Sequence, residues 1–251
     1  KSHASKHAFH KTPPAGIMFG HMLDNKGDFM VGYRFMLNKT NGQMQQGTHA
    51  VIDQTIIDQG CSDTISCRFT PTHMNMHMHM IDIMYAPTKW LNVMLMPTFM
   101  DMNMNLRNLF KLDGTVPATP PGSHSHSGIG GHETGAIGDT SLSALVKLFQ
   151  IPGHRAHINI GFSAPTGRVD IEQRRAHRID PGLIHFGMQL GSGTWDFMPG
   201  LTYTGEKKRL SWGAQIGGAK RMEEKNKSGY RLGDLFQASA WGGIDLAPWL
   251  T

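Results

Sequence analysis

At 251 residues the chain has room for one large β domain or two smaller ones. Its apolar residues, 39% of the total, nowhere approach the run of ~20 that a membrane helix needs, so helical transmembrane topology is excluded. A net charge of +5 is scattered rather than massed, which gives nucleic acid no footprint. A membrane β-barrel remains open, because only alternate residues of its strands face lipid.

Residues 1–27 are polar and broken by Pro13, Pro14, Gly16, Gly20 and Gly27, the pattern of an irregular arm tucked against or inside the body that follows. The arm carries His3, His7, His10 and His21. If Lys1 is the mature terminus, Lys1-Ser2-His3 offers the free amine and third-position imidazole that hold Cu(II) in a square plane. A His-rich tail without fixed structure is the plainer reading. Asp28 to Asn38 then alternates Phe29, Val31, Tyr33, Phe35 and Leu37 against Met30, Gly32, Arg34, Met36 and Asn38, and predicts a first strand. Lys39 to Pro71 reads as a long polar loop. It holds the only two cysteines, Cys61 and Cys67, in C-S-D-T-I-S-C. A thiolate metal pair and a loop disulfide are the two options, and an exported chain favours the disulfide.

Thr72 to Asn105 is the stretch that organises the chain. Two period-two arms meet at Ala86-Pro87-Thr88 and predict a β-hairpin with two unlike faces. Ile81, Ile83, Tyr85, Leu91, Val93, Leu95 and Phe99 form an aliphatic and aromatic face. Met74, Met76, Met78, Met80, Asp82, Met84, Asn92, Met94, Met96, Thr98, Met100, Met102 and Met104 form the other. Leu106 to Ile137 reads as a second long loop, in which His124, His126, His132 and Glu133 are compositional candidates for metal.

Further alternating stretches follow at Asp139–Gln150, His154–Pro165, Thr194–Thr204, Leu210–Ile216 and Tyr230–Ile244, and Trp249 opens another. The connections run long, short, long, short, long, short, moderate, short. Long external loops and short periplasmic turns alternate in this way in outer-membrane barrels. The predicted fold is therefore all-β: an antiparallel transmembrane barrel spanning 28–251, with at least eight strands visible and ten to twelve in the complete protein. The arm would be periplasmic, and Tyr85, Trp90, Tyr203, Trp241 and Trp249 would form an interfacial girdle near the short turns. A soluble β-sandwich is the rival, but it would leave the methionines of one hairpin face in water.

Four segments stand together as a resemblance: H-M-L-D-N-K-G-D-F-M-V-G-Y-R-F-M (His21 to Met36), M-x-M-H-M-x-x-x-M-Y-A-P-T (Met76 to Thr88), Q-L-G-S-G-T-W-D-F-M-P-G-L-T-Y (Gln189 to Tyr203) and W-G-A-Q (Trp212 to Gln215). They resemble the bacterial outer-membrane transporter family labelled for phenol degradation (MetA pathway), over most of Gly16 to Leu250. The resemblance implies a porin-like barrel of a Gram-negative outer membrane that continues beyond this chain. The loops around Cys61/Cys67 and His124/His126 depart from it.

On this reading Met30, Met36, Met74, Met76, Met78, Met80, Met84, Met94, Met96, Met100, Met102 and Met104 line the lumen. Three uses of such a lining stay open. Thioethers select soft Cu(I), and His3 with Met76, Met78, Met94 and Met96 are the candidate ligands. Methionine also packs irregular gaps, and it adapts to small apolar or aromatic solutes. No G-x-S-x-G or H-E-x-x-H occurs, so no enzyme is expected. The expected partners are outer-membrane lipid and a small solute or metal ion, with homo-oligomers or membrane-protein assemblies left open. The competing function is a structural or partner-binding outer-membrane protein whose barrel is plugged.

Overall fold

Period-two alternation commits the chain to strands, and in a computed structural model they join one large antiparallel sheet. Residues 14, 17–42, 45–46, 49–60, 69–117, 131–172, 183–184 and 186–246 are described. The strands are β1 (Phe29–Asn41), β2 (Gln45–Gln46), β3 (His49–Ala50), β4 (Phe69–Tyr85), β5 (Leu91–Met96), β6 (Thr98–Asn108), β7 (His132–Ile137), β8 (Thr140–Ile151), β9 (His154–Ala164), β10 (Asp196–Lys207), β11 (Leu210–Arg221) and β12 (Leu235–Ile244). β2 and β3 form a separate ribbon. The other ten run in the order β12-β11-β10-β9-β8-β5-β4-β6-β7, with β1 on the far side of β4.

Two of these rows are interrupted strands. β5 and β6 both pair with β4 and are separated by Pro97, which has no N–H to give the ladder. β7 pairs with β6 and β8 with β5, and Gly138-Asp139 divides them. A side chain at Gly138 would crowd Met100 Sδ at 3.0 Å and Leu190 O at 3.1 Å. The sheet is thus eight rows wide and curls into a half-barrel. Among the described residues β1 pairs only with β4 and β12 only with β11, so both margins are open. Trp249, where a further strand was expected, lies outside the described residues, as do His3, Cys61, Cys67, His124 and His126.

Several expected boundaries move. The Lys39–Pro71 loop contains the β2–β3 ribbon and a short helix, α1 (Asp53–Gly60), and β4 begins at Phe69. Arg107 fixes α1 by a bidentate pair to Asp53 at 2.7 Å, which holds that carboxyl below its usual range. The Leu106–Ile137 loop gives up its end to β7, so His132 and Glu133 are strand residues. Asn103 Nδ2 donates to Glu133 Oε1 at 2.9 Å. The last strand starts at Leu235 rather than Tyr230. The short turns after β4 and β8 close where expected, the one after β10 falls at Lys208–Arg209, and Ala247-Pro248 lies outside the described residues. At the β8–β9 turn Gly153 has φ 78°, a left-handed conformation that side chains resist.

The two faces are inverted relative to a soluble protein. Val31, Ile83, Leu95, Leu142, Phe162 and Phe197 stand in register across β1, β4, β5, β8, β9 and β10 as one outward apolar row. Phe29, Tyr85, Val93, Ala144 and Ile160 form a second row beside it. These rows are exposed or half-buried, while Met84, Asn92, Met94, Ser143 and Asn159 on the concave face are buried. A contiguous apolar belt of this extent is what a lipid or protein surface covers.

Candidate functional site

The concave face is built from rows that follow from strand register. Met30, Met84, Met94, Ser143, Gly161 and Met198 form one, and Met36, Met78, Met100 and Ala136 another. Directly opposed Cβ atoms in such ladders lie ~4.5–5.5 Å apart, so thioethers meet across strands as parity required. Met36 follows the parity but is 39% exposed, because none of the described residues covers the far end of β1.

Two apolar clusters divide the methionines. Met80, Met84, Met94, Met96 and Leu145 pack with Met18, Phe19, Met22, Leu23 and Met30. Met102, Met104 and Leu106 pack with Ile184, Met188 and Leu190, flanked by Met74, Met76 and Met100. Of the candidate copper ligands, Met94 and Met96 lie in the first cluster and Met76 against the second, while Met78 belongs to neither. Met94 pairs with Met84 and Met76 with Met102, eight residues apart along β4, or about 26 Å at 3.3 Å per residue. A single ion cannot join sulfurs from both ends, whereas Met76 stands opposite Met102 and Met78 opposite Met100.

The first cluster is completed by the arm. Residues 17–26 cross the concave face near the short turns, and the barrel wall holds them by their backbone. Leu23 N–H donates to Asn92 Oδ1 at 2.6 Å, and Asn92 Nδ2 donates back to Leu23 O at 3.4 Å. His157, Thr202 and Gln215 stand in register across β9, β10 and β11. His157 Nε2 donates to Phe19 O at 2.7 Å, Gln215 Nε2 to Met18 O at 2.7 Å, and Thr202 Oγ1 to Phe19 O at 3.4 Å. Phe19 has φ 55°, a conformation a bulky residue keeps only when its surroundings over-determine it. Asp24 faces Arg155 at 3.5 Å and Lys147 at 4.0 Å.

The second cluster is completed by the described limbs of the β9–β10 connection, residues 165–172 and 186–195 with 183–184, which fold inward. Asp139 Oδ1 accepts from Gly167 N–H, and Asp139 Oδ2 from the backbone and hydroxyl of Ser192 at 2.7 and 2.9 Å. Thr134 Oγ1 donates to Met188 O at 2.8 Å, and Gln189 bonds Ile171 N–H, Ile171 O and Ile184 O. Gly167 and Gly191 allow the two limbs to touch, with Gly167 Cα 3.0 Å from where a Gly191 Cβ would sit. Asp196, beneath this loop, is buried against Arg221 and Thr194.

Outside, Lys227 reaches Asp170 at 2.8 Å, and with Arg168 it holds that carboxyl at about 2. A depressed carboxyl contributes its contact above its ordinary value of 3.8 and loses it as pH falls through about 2. The Asp170 carboxyl, followed by carbon-13 NMR, is therefore expected to stay ionised from pH 7 to about 4 and to titrate only below that.

The outward face carries aromatic–imidazole groups that parity anticipated for His77 and His79. Tyr33 Oη and His79 Nδ1 are 2.7 Å apart, and Phe35 and Phe99 flank the His79 ring. Near the short turns His154, Tyr203 and Trp212 cluster likewise. Trp241 departs from the expected girdle. It pairs with Gly213 and lies over the concave face, where glycine leaves room for the indole. Among the described residues no group of three or more His, Cys, Asp or Glu gathers as a metal site. The chain matches no known family model and no curated protein.

Proposed function

We propose that this protein is an outer-membrane β-barrel of a Gram-negative bacterium that passes small apolar or aromatic solutes along a methionine-lined interior. The carrying observation is the inversion of faces: apolar rows stand outward while methionine, serine, asparagine and aspartate are enclosed. Lipid satisfies such an exterior, and a closed or completed sheet satisfies its backbone. The long loops then lie outside, and the arm enters from the periplasm. Flexible thioethers give a lining that adapts to apolar cargo without a fixed ligand set. The transporter-family resemblance points the same way.

A plugged structural protein is the second reading, favoured by the arm and the β9–β10 loop filling the two halves of the concavity. Planar-bilayer recording with the full chain separates them. The transport reading expects small-ion current that benzyl alcohol interrupts in a saturable way. A silent barrel, even after the arm is loosened, supports the structural reading instead.

A further inference from the structure

We propose that His21 and Met30 are the core of a binding site for a soft monovalent cation, Cu(I) or its analogue Ag(I), which fastens the arm to the barrel wall. His21 Nε2 lies 3.3 Å from Met30 Sδ, joining the arm to the first strand. Met84 stands opposite Met30 in the ladder and is fully buried, so a second thioether borders the same spot. An imidazole with two thioethers is a neutral, soft donor set of the kind that favours Cu(I) over hard ions.

The fit can be checked by magnitude. With bonds of about 2.0 Å to nitrogen and 2.3 Å to sulfur, as at zinc, a trigonal ion holds these two atoms about 3.7 Å apart. The ring has only to withdraw by about 0.4 Å and present its Nε2 lone pair instead of a proton.

Neutral ligands leave the ion's charge uncompensated, and the wall brings near it a carboxylate that Arg34 shares. Asp82 is 6% exposed, lies between Met80 and Met84 on β4, and pairs with Gly32 two residues from Met30. Its Oδ2 meets Arg34 Nη2 at 3.2 Å, and its Oδ1, like Arg34 Nη1, is buried without a hydrogen-bond partner. A buried carboxylate oxygen left unpaired is costly, and a cation beside it relieves that cost. This site differs from the quartet Met76, Met78, Met94 and Met96, and it does not depend on solute passage.

The test is substoichiometric Ag(I) added to the full chain in detergent, with methionine methyls labelled with carbon-13. The Met30 methyl resonance, assigned by its loss in Met30→Leu, is expected to shift with the first equivalent. Met30→Leu keeps the packing, so a folded variant is expected; it and His21→Gln should each weaken first-site affinity by at least about tenfold, while Met36→Leu leaves it unchanged. If the first equivalent shifts other methionines and leaves Met30 still, or if Met30→Leu binds within twofold of the parent, the site is refuted. A barrel that binds Ag(I) here yet stays silent when the ion is removed and the arm is loosened would overturn the transport reading and leave this one standing.

Discussion

Leu95→Arg is expected to destabilise the folded protein in lipid vesicles by about 2–4 kcal/mol, the cost of a guanidinium on the lipid face at the bilayer midplane. Leu95 is 41% exposed and sits in the outward row between Ile83 and Leu142. It lies five residues beyond Trp90 at the short turn. At about 3.3 Å per residue and a tilt near 40° that places it about 13 Å up a belt roughly 25 Å tall. A protein with that face in water would tolerate Arg easily, since exposed substitutions away from special features usually stay within about 0.5 kcal/mol. Leu148→Arg, outward but three residues from Ile151 at the next turn, is the internal comparison and should cost no more than about 1 kcal/mol. Urea unfolding of both variants in thin-chain vesicles reads the difference. Equal stabilities would place the face in water and remove the membrane reading.

The features legible in the sequence were those with a short period. Alternation in Thr72 to Asn105 is local, so the two faces, the buried methionines and the turn at Ala86-Pro87-Thr88 could be read directly. β7 could not, because H-E-T-G-A-I alternates weakly and gains its place only by pairing with Phe99 to Met104. α1 escaped for a related reason: D-Q-T-I-I-D-Q-G is too short to display a 3.6-residue repeat.

The interior fillings were hidden more deeply. Parity turned Asn92, His157, Thr202 and Gln215 inward, but nothing local says that they receive Leu23, Phe19 and Met18 across 69 to 197 residues of chain. The inward β9–β10 loop depends likewise on Asp139 meeting Gly167 and Ser192, a geometry set by sheet curvature. One signal was present. Glycines at 167 and 191 flank a charged segment, and such residues permit close backbone approach. The candidate copper ligands are spread along β4 because parity fixes which way a side chain points, whereas register along the strand fixes how far apart two of them stand.

Asn92→Leu is expected to free the arm and open the barrel. Asn92 is fully buried, and its amide satisfies both backbone groups of Leu23, at 2.6 and 3.4 Å. Leucine has similar bulk and no polar atoms, so it leaves a backbone N–H and a C=O buried without partners. Each such group costs about 1–3 kcal/mol, and since undocking returns both to water, the docked state loses at least about 2 kcal/mol. That multiplies the undocked population about thirtyfold or more. The sheet itself should persist, because the position contributes its backbone pairing to Leu145 whatever the side chain. Cleavage after Lys26 by trypsin reads the arm, and planar-bilayer current reads the lumen. The transport reading requires both to rise together. Faster cleavage with no gain in current would count against transport and support the plugged structural reading, with the inward limbs of the β9–β10 connection still filling the concavity.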